Sequence, residues 1–67
     1  EGIAMSLTNI ASNYGNNGEP QKALEYFQKA YNIFKQLGDS KGMEYITNSM
    51  VLAREDIDNL ENSSQKP

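Results

Sequence analysis

The 67-residue sequence has no cysteine, no histidine and no tryptophan. Without Cys no disulfide can reinforce the small core that a chain of this length is able to bury. The same absence fits a reducing compartment, so a cytoplasmic location is the expectation. Without Cys and His the usual zinc ligands are gone, along with the side chains that most often act as nucleophile and general base. No Ser has a base placed beside it by the sequence. These gaps point away from an enzyme and away from a cofactor. Long apolar runs are missing too. The longest is Met50 to Ala53, far short of the ~20 residues that a membrane helix needs. Positive charge is scarce: 6 Lys and Arg, scattered singly, stand against 9 Asp and Glu, for a net charge of -3. Nucleic-acid binding needs a basic face to displace counterions from phosphates, so neither a nucleic acid nor a membrane is expected as a partner.

One local concentration of charge is present, at Glu55, Asp56, Asp58 and Glu61. A calcium loop of the EF-hand type needs a glycine in mid-loop and a Glu at its twelfth place. Neither is there, so no metal site is expected and the four carboxylates read as the solvated outer face of a helix.

What the sequence does have is helical periodicity in three segments. From Ile3 to Tyr14, the residues Ile3, Leu7, Ile10, Ala11 and Tyr14 recur at spacings of three and four, which puts them on one face. Gly15-Asn16-Asn17-Gly18 then makes a tight turn, since Gly and Asn tolerate left-handed backbone. Pro20 suits the first position of a second helix, where its missing N–H costs nothing. Ala23, Phe27, Ala30, Phe34 and Leu37 form its stripe, widened by Leu24, Tyr26 and Tyr31, and Gly38 ends it. Asp39 or Ser40 can cap a third helix, expected to reach about Leu60. Its stripe is Met43, Ile46, Met50, Ala53, Ile57 and Leu60, a heptad spacing suited either to packing on Tyr31 and Phe34 or to self-association. Residues 62–67 carry no apolar anchor and read as a disordered tail. Such short turns set consecutive helices side by side and antiparallel. The expected fold is all-α, an antiparallel helical hairpin with a third, capping helix, occupying residues 1–61.

The tetratricopeptide signature carries a large residue, Leu-Gly three on, Tyr three further, then Ala, Phe and Ala on the partner helix. In this sequence Leu7, Ile10-Ala11, Tyr14, Ala23, Phe27 and Ala30 fall in register with it, and Gly18 lies in the turn. The chain therefore resembles a tetratricopeptide repeat over residues 2–53. Lys35 stands where the signature has Pro. Gly2-Ile3 recurs as Gly42-Met43, forty positions later, where the common repeat is about 34 residues, and this resembles the forty-residue subclass of the family. The second copy departs from the first: Thr47 stands for Leu7, Ser49 for Asn9 and Arg54 for Tyr14. One repeat plus a capping helix, a fragment of an α-solenoid, is what the resemblance implies.

It also implies a function. First helices of such hairpins line a concave groove in which Asn side chains clasp the main chain of a bound peptide. By that resemblance the partner-binding candidates are Met5, Thr8, Asn9, Ser12, Asn13 and Asn16 of the first helix, with Asn48 and Ser49 of the third. An amide offers both donor and acceptor, which suits a peptide backbone. No Lys or Arg belongs to the first-helix set, which argues against a basic clamp on a C-terminal carboxylate. The expectation is a scaffold or adaptor that binds a protein or peptide. The alternative is a structural or self-associating segment of a larger repeat protein. Because one repeat cannot bury its own apolar face, a homodimer through uncovered helix faces is also expected.

Overall fold

The two turns of this chain are built by the same device. In the computed structural model, which describes residues 2–65 and the side chains of residues 2–61, the helices are α1 (Gly2–Asn16), α2 (Pro20–Leu37) and α3 (Ser40–Gln65). α1 is closed by Gly18 at φ 82° and α2 by Gly38 at φ 71°, a left-handed backbone that L side chains resist. The amide of Gly18 donates to the Gly15 carbonyl at 3.1 Å and that of Glu19 to the Tyr14 carbonyl at 2.8 Å. At the second turn Gly38 donates to Lys35 at 3.1 Å and Asp39 to Phe34 at 2.9 Å. This paired 5→2 and 6→1 pattern satisfies carbonyls that a helix end leaves open. Asp39, not Ser40, is the side-chain cap of α3: its Oδ1 accepts from the Gly42 amide at 3.0 Å.

Short turns fold the helices back on one another. α2 packs against both neighbours, while α1 and α3 make only marginal contact with each other. All three helices together account for 92% helix, with no strand among the described residues, so the fold is all-α. The core is Ala4 and Ala11 from α1, Ala23, Phe27, Ala30 and Phe34 from α2, and Ile46 from α3. Each large side chain buried here contributes about 1.5–3 kcal/mol. The stripe on α3 is turned inward over most of its length: Met43 and Met50 pack beside Ile46 against this core, Ala53 is buried and Ile57 half-buried, while Leu60 at its end is 51% exposed. From Met43 to Ile57 that stripe is an intramolecular contact.

The buried face of α1 differs from the one its large residues suggest. Ala4, Thr8 and Ala11 are buried, whereas Ile3 is 68% exposed and Ile10 40% exposed; Leu7 and Tyr14 are half-buried at the flank. Close approach of α1 to α2 selects the smallest side chains for the line of contact and pushes the larger ones aside. Thr8 fits that line because its hydroxyl donates to the Ala4 carbonyl at 2.8 Å, within α1. Leu37 likewise leaves the α2 stripe and is 57% exposed. Tyr14 stacks on Tyr26 at 5.4 Å between ring centroids, and the ammonium groups of Lys22 and Lys29 stand over the two rings at 5.4 and 5.0 Å.

α3 also runs on past Leu60, to Gln65. No Gly or Pro stands between Gly42 and Pro67 to break it, so four residues expected in the tail continue the helix; Lys66 and Pro67 lie outside the described residues. At about 1.5 Å per residue α3 spans about 39 Å against about 27 Å for α2, which gives the chain its extents of 47 × 18 × 12 Å.

Candidate functional site

Because α1 and α3 flank α2 without closing on each other, a groove remains between them. Its floor is Ala23 and Phe27 of α2. One wall is Ala11, Ser12, Gly15 and Asn16 of α1, and the other is Ser49, Leu52, Ala53 and Asp56 of α3. The hollow measures about 220 Å³. It continues past Asp56 into a second hollow of about 260 Å³, bounded by Gly15, Gly18, Pro20, Asn59 and Leu60. Asp56 lines both. A larger hollow, about 390 Å³, lies on the opposite side along the seam of α2 and α3, at Leu24, Gln28, Thr47, Met50, Val51 and Arg54. That seam hollow is both larger and better enclosed, but only two helices bound it, whereas all three helices build the groove and bring hydroxyl and amide side chains to its walls.

Local structure fixes which atoms the groove offers. Ser49 donates its hydroxyl to the Tyr45 carbonyl at 3.1 Å, so its remaining capacity is to accept. Gly15 keeps the α1 wall low; a Cβ there would sit 3.9 Å from the Ala23 Cβ, in ordinary contact. α1 carries no acidic or basic side chain along its whole length. Among the described residues no group of three His, Cys, Asp or Glu is placed to hold a metal, and no helix is long and apolar enough to cross a membrane.

Of the residues expected to bind a partner, Ser12, Asn16 and Ser49 line the groove. Met5, Asn9, Ser12 and Asn16 follow one another at steps of four, three and four, which places them on one face of α1. Met5 and Asn9 are exposed and continue the same wall beyond the hollow. Thr8 is buried and its hydroxyl is held by Ala4. Asn13 and Asn48 are exposed and line neither hollow of the groove. Two residues that matter here were not among those candidates. Leu52, 63% exposed, is the apolar lip of the α3 wall. Asp56, read from sequence as an outer-face carboxylate, points its helix position into the groove. The signal available was the spacing of Ser49, Leu52 and Asp56, three and then four residues apart on one face of α3.

Compared with known proteins, the chain matches no family model, no curated protein and no solved structure.

Proposed function

We propose that this chain is a non-catalytic interaction module that holds a peptide segment of a protein partner in the groove between α1 and α3. The observation that carries the reading is the combination in one hollow of an apolar floor, Ala23 and Phe27, with hydroxyl and amide walls, Ser12, Asn16 and Ser49. An apolar floor takes a side chain, and neighbouring amides and hydroxyls take the main chain beside it. The resemblance to a tetratricopeptide repeat supports the same reading, because Gly2 and Gly42 hold equivalent places forty residues apart and α1 and α3 are then the groove-lining helices. A cytoplasmic location goes with it. The test is to select binders to the full chain from a displayed peptide library and to map the best of them on the ¹⁵N-labelled protein. Amide shifts at Ser12, Gly15, Ser49 and Leu52 are expected. Shifts confined to Ile3, Ile10 and Leu37 would replace this reading with the next one.

A specific observation favours that second reading. Ile3, 68% exposed, Ile10, 40% exposed, and Leu37, 57% exposed, line neither hollow of the groove. An apolar flank of this kind is suited to packing against another helix. The chain would then act as a structural segment that associates with itself or with a neighbouring repeat.

A further inference from the structure

We infer that the groove selects for charge: its ligand is a peptide in which an aliphatic side chain is followed closely by Lys or Arg, and that cation seats on Asp56. The inference rests on the groove reading above and adds the chemistry of the ligand. Among the described residues Asp56 is the one ionisable residue lining either hollow of the groove, and it stands where the two meet. No Lys or Arg among the described residues forms an ion pair with it. Among the described residues the ion pair present is Glu19 with Lys22 at 3.9 Å. Lys22 and Lys29 lie over Tyr14 and Tyr26 on the far flank, and Arg54 lines the outer seam of α2 and α3. The facing wall cannot supply a counter-charge, since α1 from Gly2 to Asn16 is uncharged.

The neighbouring atoms favour the same sign. Ser49 is left as an acceptor by its bond to Tyr45, which suits an ammonium or guanidinium donor. α1 ends at Asn16, so the negative end of its dipole lies at this wall. The positive end of α2 begins nearby at Pro20, which opposes it, and the carboxylate decides the balance. The aliphatic seat is adjacent. Ala11, Ala23, Phe27 and Leu52 bound a hollow of about 220 Å³, room for a side chain the size of Leu or Ile. An acidic residue, or a C-terminal carboxylate at this point, would meet Asp56 with like charge.

Three blocked octapeptides test this, each with one Leu in a Gly-Ser background and, two residues after it, Lys, norleucine or Glu. Each is titrated into the ¹⁵N-labelled full chain at low salt, with amide shifts as readout. The Lys peptide is expected to move Gly15, Leu52 and Asp56 with a Kd about threefold below the norleucine peptide and about tenfold below the Glu peptide, as partly exposed ion pairs allow. Asp56→Asn should bring the Lys and norleucine peptides level. Asp58→Asn, on the outer seam, should leave the order unchanged. Equal binding of all three peptides in the groove, or a Lys preference that survives Asp56→Asn, would overturn the inference and leave the groove reading standing. Failure of all three to move the groove amides would remove both.

Discussion

Gly42 lies directly against the ring of Phe34. A Cβ at that position would fall 2.6 Å from Cγ and 2.7 Å from Cε1, closer than packed atoms tolerate. Phe34 is 6% exposed and belongs to the core, so the ring has little room to yield. Gly42→Ala should therefore destabilise the chain by about 1–3 kcal/mol through overpacking, although Ala is the better helix former by about 1 kcal/mol. Gly15→Ala should do the opposite and stabilise by about 0.5–1 kcal/mol, because its Cβ would make only ordinary contact with Ala23 at 3.9 Å. Urea unfolding followed by circular dichroism distinguishes the two; equal signs would show that α3 does not pack on Phe34 in this way.

The turn glycines isolate a backbone effect from packing. Gly18 and Gly38 have φ of 82° and 71°, and neither would bring a Cβ within 4 Å of another atom. An alanine at either place meets no clash and still has to hold a left-handed backbone. Each substitution should cost about 1–2 kcal/mol. A change below about 0.3 kcal/mol at both, on the same scale of backbone preference, would mean that the turns adopt another conformation.

Core and flank should respond differently to truncation. Phe27→Ala removes a buried ring and should cost on the order of 3–5 kcal/mol, against a total stability of about 3–10 kcal/mol for a chain of this length. Most of the helical signal should disappear at room temperature. Ile3→Ala, at a position 68% exposed, should change stability by no more than about 0.5 kcal/mol. Thermal melts of the two variants side by side check both statements.

Self-association, if the apolar flank drives it, should depend on α1 and α2 rather than on α3. Ile3→Glu or Leu37→Glu should shift a concentration-dependent dimer toward monomer in sedimentation over a hundredfold dilution while leaving the melt intact. Ile57→Glu places a charge on the half-buried α3 stripe and should lower the melting temperature instead. A strictly monomeric parent chain would show that the flank is too small to hold a second copy.

How far sequence reasoning reached depends on how local each signal was. α2 was legible because contact on both sides keeps one stripe, Ala23, Phe27, Ala30 and Phe34, at helical spacing. Gly18 and Gly38 were legible because turn chemistry needs only neighbours in sequence, which also narrowed the cap of α3 to Asp39 or Ser40. The contact face of α1 was not, since counting large residues favours Ile3 and Ile10 while the approach of α2 favours Ala4, Thr8 and Ala11. For the groove, Ser12, Asn16 and Ser49 came from the family resemblance. The spacing within α3 puts Asp56 on one face with Ser49 and Leu52, but that this face looks across a groove at α1 depends on how the helices pack. α3 runs beyond Leu60, its last apolar residue, because a polar stretch without Gly or Pro can continue a helix.

The marginal contact between α1 and α3 makes α2 the spine to which two separate leaves are attached. Each leaf can loosen without consulting the other, so protection against hydrogen exchange should be greatest along α2 and decline outward into both neighbours. A ligand that bridges Ser12 or Asn16 to Leu52 or Asp56 would supply the missing third side of a triangle. It would tie the leaves together directly, and the slowing of exchange would be felt along both walls at once, including turns that the ligand never touches.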